Sequence, residues 1–166
     1  MRVILALHSQ VAVHLAATLR GQGHEVLVLD DERPATDALA ETAVATLRER
    51  LRRQLDQAVT EFNPQLIHAE GLTFWGQLAS ETGVPYVATL VADDLEHAEG
   101  SRPRELAEQG AENARCVLVP AELAEASKPL LGGVEHVAPA PWWPDALDPL
   151  ETVYRAAINR PASGLA

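Results

Sequence analysis

The stretch Asn63-Pro-Gln-Leu-Ile-His-Ala-Glu-Gly-Leu-Thr-Phe-Trp-Gly-Gln-Leu-Ala-Ser-Glu-Thr-Gly-Val-Pro-Tyr-Val-Ala-Thr-Leu-Val-Ala-Asp-Asp94 decides how the chain folds. Leu66 to His68 is a short apolar run after a turn-making Asn-Pro pair. Leu72, Trp75, Leu78 and Ala79 carry the spacing of one helical face, so Leu72 to Thr82 is predicted helical. Gly83 stops that helix, and Tyr86 to Val91 is a second run rich in β-branched residues. Strand, helix and strand in so few residues require a parallel pair joined by a right-handed crossover. In such sheets ligands bind beyond the carboxyl ends of the strands. Those ends carry His68, Glu70, Asp93, Asp94, Glu96 and His97 here.

The same grammar extends in both directions. Arg2 to Leu7 is a continuous apolar run suited to a strand buried on both faces. Val11, Leu15, Ala16 and Leu19 form a helical stripe over Val11 to Arg20, with Ser9 as its cap and Gly21 or Gly23 as its stop. Glu25 to Leu29 is the next strand. From Ala35 to Phe62 a long helix is expected, apolar at Leu47, Leu51, Leu55, Ala58 and Phe62. Its opposite face is basic, with Arg48, Arg50, Arg52 and Arg53. That cluster fits either a phosphate-attracting patch or a solvated face with local ion pairs. Beyond the loop His97 to Pro103 come a helix from Arg104 to Ala114 and a strand from Cys116 to Val119. A single helix from Pro120 to Leu131 and a last strand from Glu135 to Ala138 follow. Pro139-Ala-Pro-Trp-Trp-Pro then reads as a linker into a final helix, about Asp145 to Asn159. The sum is one doubly wound, Rossmann-like α/β domain with about six parallel strands and helices on both faces. Residues 1–138 form that domain. Residues 139–166 form a Pro/Trp linker and a crossover-type helix that packs back on it. Strand order 3-2-1-4-5-6 is the expectation.

Composition sets further bounds. The 166 residues are 47% hydrophobic, enough for one good core. Thirteen basic against 24 acidic residues give a net charge of −11, which argues against nucleic acid and anionic membranes as partners. The opening apolar run is too short to span a bilayer or serve as a signal peptide, so a cytoplasmic location is expected. The single cysteine, Cys116, excludes an internal disulfide and reads as a small buried hydrophobe. The first turn, Leu7-His8-Ser9-Gln10-Val11, has no glycine to admit a pyrophosphate, which rejects a nicotinamide or flavin cofactor. No cofactor is expected. No tight ligand spacing supports a metal either.

Several pieces resemble the N-terminal, acceptor-side domain of retaining GT-B-fold glycosyltransferases. Arg2-Val-Ile-Leu-Ala-Leu is similar to their opening strand. Leu15 to Leu29, with Gly23-His-Glu-Val, resembles their first helix and second strand. Asn63-Pro-Gln-Leu-Ile-His-Ala-Glu-Gly resembles their Pro-Asp-Val-Ile-His-Ala-His element. Gly83-Val-Pro-Tyr-Val-Ala-Thr matches Gly-x-Pro-x-Val-x-Thr, and Ala114-Arg-Cys-Val-Leu-Val-Pro their Ala-Asp-x-Val-x-x-x-Ser strand. Two places depart from the pattern. His8-Ser9-Gln10 stands where the family carries glycines, and Val91 where it often places a cleft histidine. The C-terminal domain that holds the nucleotide sugar has no counterpart in the chain.

The resemblance implies a small polar or sugar-like acceptor at the strand tips, with His8, Ser9, Gln10, His68, Glu70, Asp93 and Asp94 as candidate ligand-binding residues. It implies glycosyl transfer only with a partner chain that supplies a nucleotide-sugar-binding domain. Two other readings stand beside it. Asp93, Asp94 and Glu96 equally suit caps of helical turns. The chain equally suits a non-catalytic scaffold or regulatory module, as a homodimer or bound to another protein, with Trp142 and Trp143 at the interface.

Overall fold

The computed structural model describes residues 1–7, 9–29, 41–141, 143 and 148–160. Six parallel strands form one sheet: β1 (Arg2–Ala6), β2 (Glu25–Leu29), β3 (Leu66–Glu70), β4 (Tyr86–Thr89), β5 (Cys116–Val119) and β6 (Val137–Pro139). The connecting helices are α1 (Ser9–Gly21), α2 (Glu41–Phe62), α3 (Gln77–Glu81), α4 (Arg102–Glu112), α5 (Lys128–Leu131) and α6 (Asp148–Asn159). The doubly wound α/β architecture expected from the sequence is the one observed.

The strand order is 2-1-3-4-5-6, not 3-2-1-4-5-6. Strand β3 pairs with β1, with Val3 beside Leu66 and Ala6 beside Ala69, rather than extending the sheet past β2. The reason lies in which face each helix covers. Leu15 and Leu19 of α1 pack with Val3, Leu5 and Leu66 on one face of the sheet. Leu51 and Leu55 of α2 pack with Ile4, Ala6 and Ile67 on the other. Right-handed crossovers on opposite faces must travel in opposite directions, so α2 carries the chain back across β1.

Local chemistry sets the element boundaries. Helix α2 ends where Asn63 turns left-handed, at φ 48°, immediately before Pro64. The basic face of α2 docks on α3: Arg48 donates to Gln77, and Arg52 pairs with Glu81. Those contacts match the ion-pair reading of the cluster. Two expected helices come out broken. The segment Pro120 to Leu131 is a 3₁₀ turn, Ala121–Leu123, followed by the separate short α5. Pro129 lacks an N–H and fits only the first turn of a helix, so the helix restarts at Lys128. The segment after β3 begins as a wide π-helical turn, Gly71–Gly76, and narrows to α3 only at Gln77.

Helix α4 lies unusually close to that wide turn. A Cβ on Gly110 would sit 2.3 Å from the Leu72 carbonyl oxygen and 3.0 Å from the Gln77 nitrogen. The Tyr86 hydroxyl donates to the Gly110 carbonyl at 2.8 Å, fastening α4 to β4 at the same level. Gly110→Ala therefore forces backbone apart from backbone. We expect a loss on the order of 2 kcal/mol, as for other overpacked cores, and a fall in Tm of about 4–8 °C. Gly133→Ala, whose Cβ would meet nothing within 4 Å, is the control and should leave the Tm within about 2 °C.

Candidate functional site

The order 2-1-3-4-5-6 fixes one topological switch point. From the tip of β1 the chain leaves through α1 toward β2. From the tip of β3, beside it, the chain leaves through the Gly71–Gly76 turn toward β4. In open α/β sheets such a divergence marks the usual ligand position, a crevice between the two loops. Helix α1 starts at Ser9, directly over that crevice. It is 13 residues long with no acidic residue in its own first turn, and the N–H groups at such a helix start favour negative charge. Gln10 is exposed there, and Glu70 is half-buried at the tip of β3.

The neighbouring rim, between β3 and β4, is closed by the chain itself. Asp94 lies in a 3₁₀ turn, Ala92–Leu95, after β4, and is 2% exposed. Its carboxylate accepts from the backbone N–H groups of Leu72 (2.9 Å), Thr73 (3.0 Å) and Val91 (3.2 Å). The Thr73 hydroxyl donates to it as well, at 2.9 Å. Burial pushes the Asp94 carboxyl upward while these donors pull it down. Asp94 thus supplies the negative charge at the start of the wide turn, a place an external anion would otherwise fill. The cap reading holds for Asp94, and its expected place on an open rim is corrected. Asp93, one residue earlier, is exposed on the outside of the same turn.

His68 is corrected likewise. It is fully buried, its ring held between Thr89 Oγ1 on β4 (2.8 Å from Nε2) and the Tyr154 hydroxyl on α6 (2.6 Å from Nδ1). In a neutral imidazole one ring nitrogen donates and the other accepts, so these partners satisfy both. Trp143 lies against the ring at 5.2 Å between centroids, and Tyr154 meets it edge-on at 5.6 Å. Burial lowers the His68 pKa to about 3. Burial also raises the hydroxyl pKa of Tyr154 well above its ordinary value. The physical reason is strand alternation: His68 faces the same side as Leu66 and Val87, and α6 covers that side over β3 and β4. Trp143, expected at an interface, is 9% exposed and belongs to the chain's own core. His8 and Trp142 lie outside the described residues.

Of the expected site residues, Ser9 and Gln10 open the helix that follows β1 and Glu70 ends β3, the strand beside it. The structure encloses His68 and Asp94 and leaves Asp93 outside. Sequence reading missed Thr89, Tyr154 and Trp143 as partners of His68. The signal present was a histidine within a strand buried on both faces, which needs two internal partners. Among the described residues no group of three or more His, Cys, Asp or Glu side chains is placed to hold a metal ion. No helix among them is long and apolar enough to cross a membrane.

Comparison with known proteins bears on the fold. No protein-family model matches the sequence, and no curated protein matches it either. Solved structures do. A sucrose-phosphate synthase chain from Thermosynechococcus elongatus superposes with a TM-score of 0.65 at 13% identity, over 93% of this chain and 98% of that one. The S. aureus MnaA-UDP co-structure matches at 0.57 and 14% identity, covering 82% of this chain and 42% of that one. UDP-GlcNAc 2-epimerase from Methanocaldococcus jannaschii matches at 0.55 and 13%, covering 83% and 45%. The chain thus spans less than half the length of these last two proteins. With its strand order, closing helix and these likenesses together, the chain has the fold of a GT-B N-terminal domain.

Proposed function

We propose that the crevice between the tips of β1 and β3 binds a small polar, sugar-like acceptor. Glycosyl transfer there requires a second, nucleotide-sugar-binding domain from elsewhere. The observation that carries this reading is the switch point itself: the N-terminus of α1 and Glu70 lie at the ends of adjacent strands whose chains leave in opposite directions. Backbone N–H groups on one side and a carboxylate on the other suit hydroxyl groups, which both donate and accept. The wide turn beside the crevice supports the reading, since such turns concentrate at functional sites. The likeness in fold to an MnaA-UDP co-structure and to a UDP-GlcNAc 2-epimerase supports a substrate class related to sugar nucleotides.

The test is an amide-resolved NMR titration with glucose and with UDP-glucose as separate probes. Shifts should cluster at Ser9, Gln10 and Gly71 with glucose. Glu70→Gln should weaken glucose binding by about ten-fold, the effect of losing one charge-assisted hydrogen bond. The chain alone should transfer no glucose from UDP-glucose. Shifts that avoid the crevice, or turnover by the chain alone, overturn the proposal.

A further inference from the structure

On the face of the sheet that carries α6, the helix crosses β3 and β4 but leaves the outer strands partly bare. Strand alternation turns Cys116, Leu118, His136 and Ala138 toward that face. A half-open cleft of about 210 Å³ results, between α6 and the starts of β5 and β6. Its charged lining is uneven. The two arginines Arg115 and Arg160 line it against the single acid Glu135, whose carboxylate lies 3.8 Å from His136 Nε2, in a chain whose net charge is −11. Val153, Ala157 and Ala138 supply apolar wall.

Arg160 is held in place from one end. Its Nη1 donates to the Arg115 carbonyl at 2.6 Å, which fixes the guanidinium over the cleft. Nε and Nη2 then remain as a side-on pair of donors, the fork that grips a carboxylate in a bidentate way. The cleft lies at the amino ends of the strands, across the sheet from the β1–β3 crevice, and does not depend on what binds there.

We propose that this cleft is a second site, for a small carboxylate with a short apolar tail. The carboxylate sits on Arg160 beside His136, and the tail lies along Val153, Ala157 and Ala138. Phosphate fits less well, because half the wall would face its oxygens with methyl groups.

Cys116 lines the cleft and is the only cysteine in the chain, so its alkylation reports the local concentration of small anions. Iodoacetate and iodoacetamide react identically: the thiolate sulfur bonds to the methylene carbon, iodide leaves, and the thiol proton has gone to buffer. Only iodoacetate carries a charge. The rate ratio of iodoacetate to iodoacetamide at Cys116 should exceed that of glutathione by about five-fold at low salt, and fall toward it in 0.5 M NaCl. R160Q should abolish the excess. Sodium butyrate should protect Cys116 from both reagents, while sodium phosphate should protect it markedly less. A ratio equal to that of glutathione in the unaltered protein overturns the proposal without recourse to any variant. So does a ratio indifferent to salt, or equal protection by phosphate.

Discussion

Asp94→Ala should destabilise the protein by about 3–4 kcal/mol, because three backbone N–H groups and one hydroxyl lose their shared acceptor. The donors sit where water reaches them poorly, so each lost bond approaches the cost of an unsatisfied buried group. Domains of this size have roughly 5–15 kcal/mol in all, so the variant should unfold at markedly lower urea with an unchanged m-value. Asp94→Asn should cost less, since one side-chain oxygen still accepts. One of the two loops that Asp94 joins, the Gly71–Gly76 turn, also borders the β1–β3 crevice. Amide hydrogen exchange at Leu72 and Thr73 should therefore speed up in the alanine variant while the centre of β1 stays protected. A loss below about 1 kcal/mol would show that the bracket is incidental to stability.

The second large effect is on pH. His68 has a pKa of about 3 in the fold, against an ordinary value of 6.5, because burial opposes its charge. Below pH 6.5 the unfolded chain takes up a proton at this position that the folded chain refuses. Stability is complete above that pH and declines as the pH falls, by up to about 1.4 kcal/mol per unit, until the folded group titrates near 3. Between pH 6.5 and 5 the expected loss from His68 is therefore about 2 kcal/mol. His68→Gln keeps a donor and an acceptor near Tyr154 and Thr89 but cannot titrate. It should be the less stable protein at pH 7, yet lose about 2 kcal/mol less than the parent between pH 6.5 and 5. Parallel slopes for the two proteins in urea titrations at both pH values would exclude this account.

Much of the architecture could be read from the chain before folding. Buried strands announce themselves as short apolar runs, and Asn63-Pro64 and Gly83 mark the ends of the helices between them through backbone conformation alone. The strand order was not readable for a definite reason. Both α1 and α2 have one apolar face, and nothing in a helix sequence states which side of a sheet that face will meet. A right-handed crossover then permits β3 to join either neighbour. The wide turn at Gly71–Gly76 was hidden because Leu72, Trp75, Leu78 and Ala79 keep an ordinary helical period. The close approach of α4 to that turn at Gly110 is equally invisible in the local sequence, since it joins segments more than thirty residues apart.

The candidate site was legible as a place and only partly as a set of residues. The strand-end rule located it, yet strand-end polar groups have two destinations. Glu70 stays at the crevice, whereas Asp94 turns back to cap a neighbouring loop. His68 lies too far inside its strand to reach the tip, and only α6, contributed from 86 residues onward, encloses it.

That late contribution has a bearing on how the molecule assembles. Tyr154 and Leu150 cover the middle strands, which were synthesised long before them. While the chain is being made, α1 can already pack beside Leu66, but His68 and Val87 lack the cover of α6 on that side, although α2 and the Gly71 turn can already cover the reverse side. One flank of the sheet can consolidate early by near-neighbour contacts, and the other closes last by a distant one, the slow kind of contact in folding. A nascent chain halted before α6 should present a greasy, histidine-bearing strip to chaperones, and the release of residues 148–160 from the ribosome is the event that hides it.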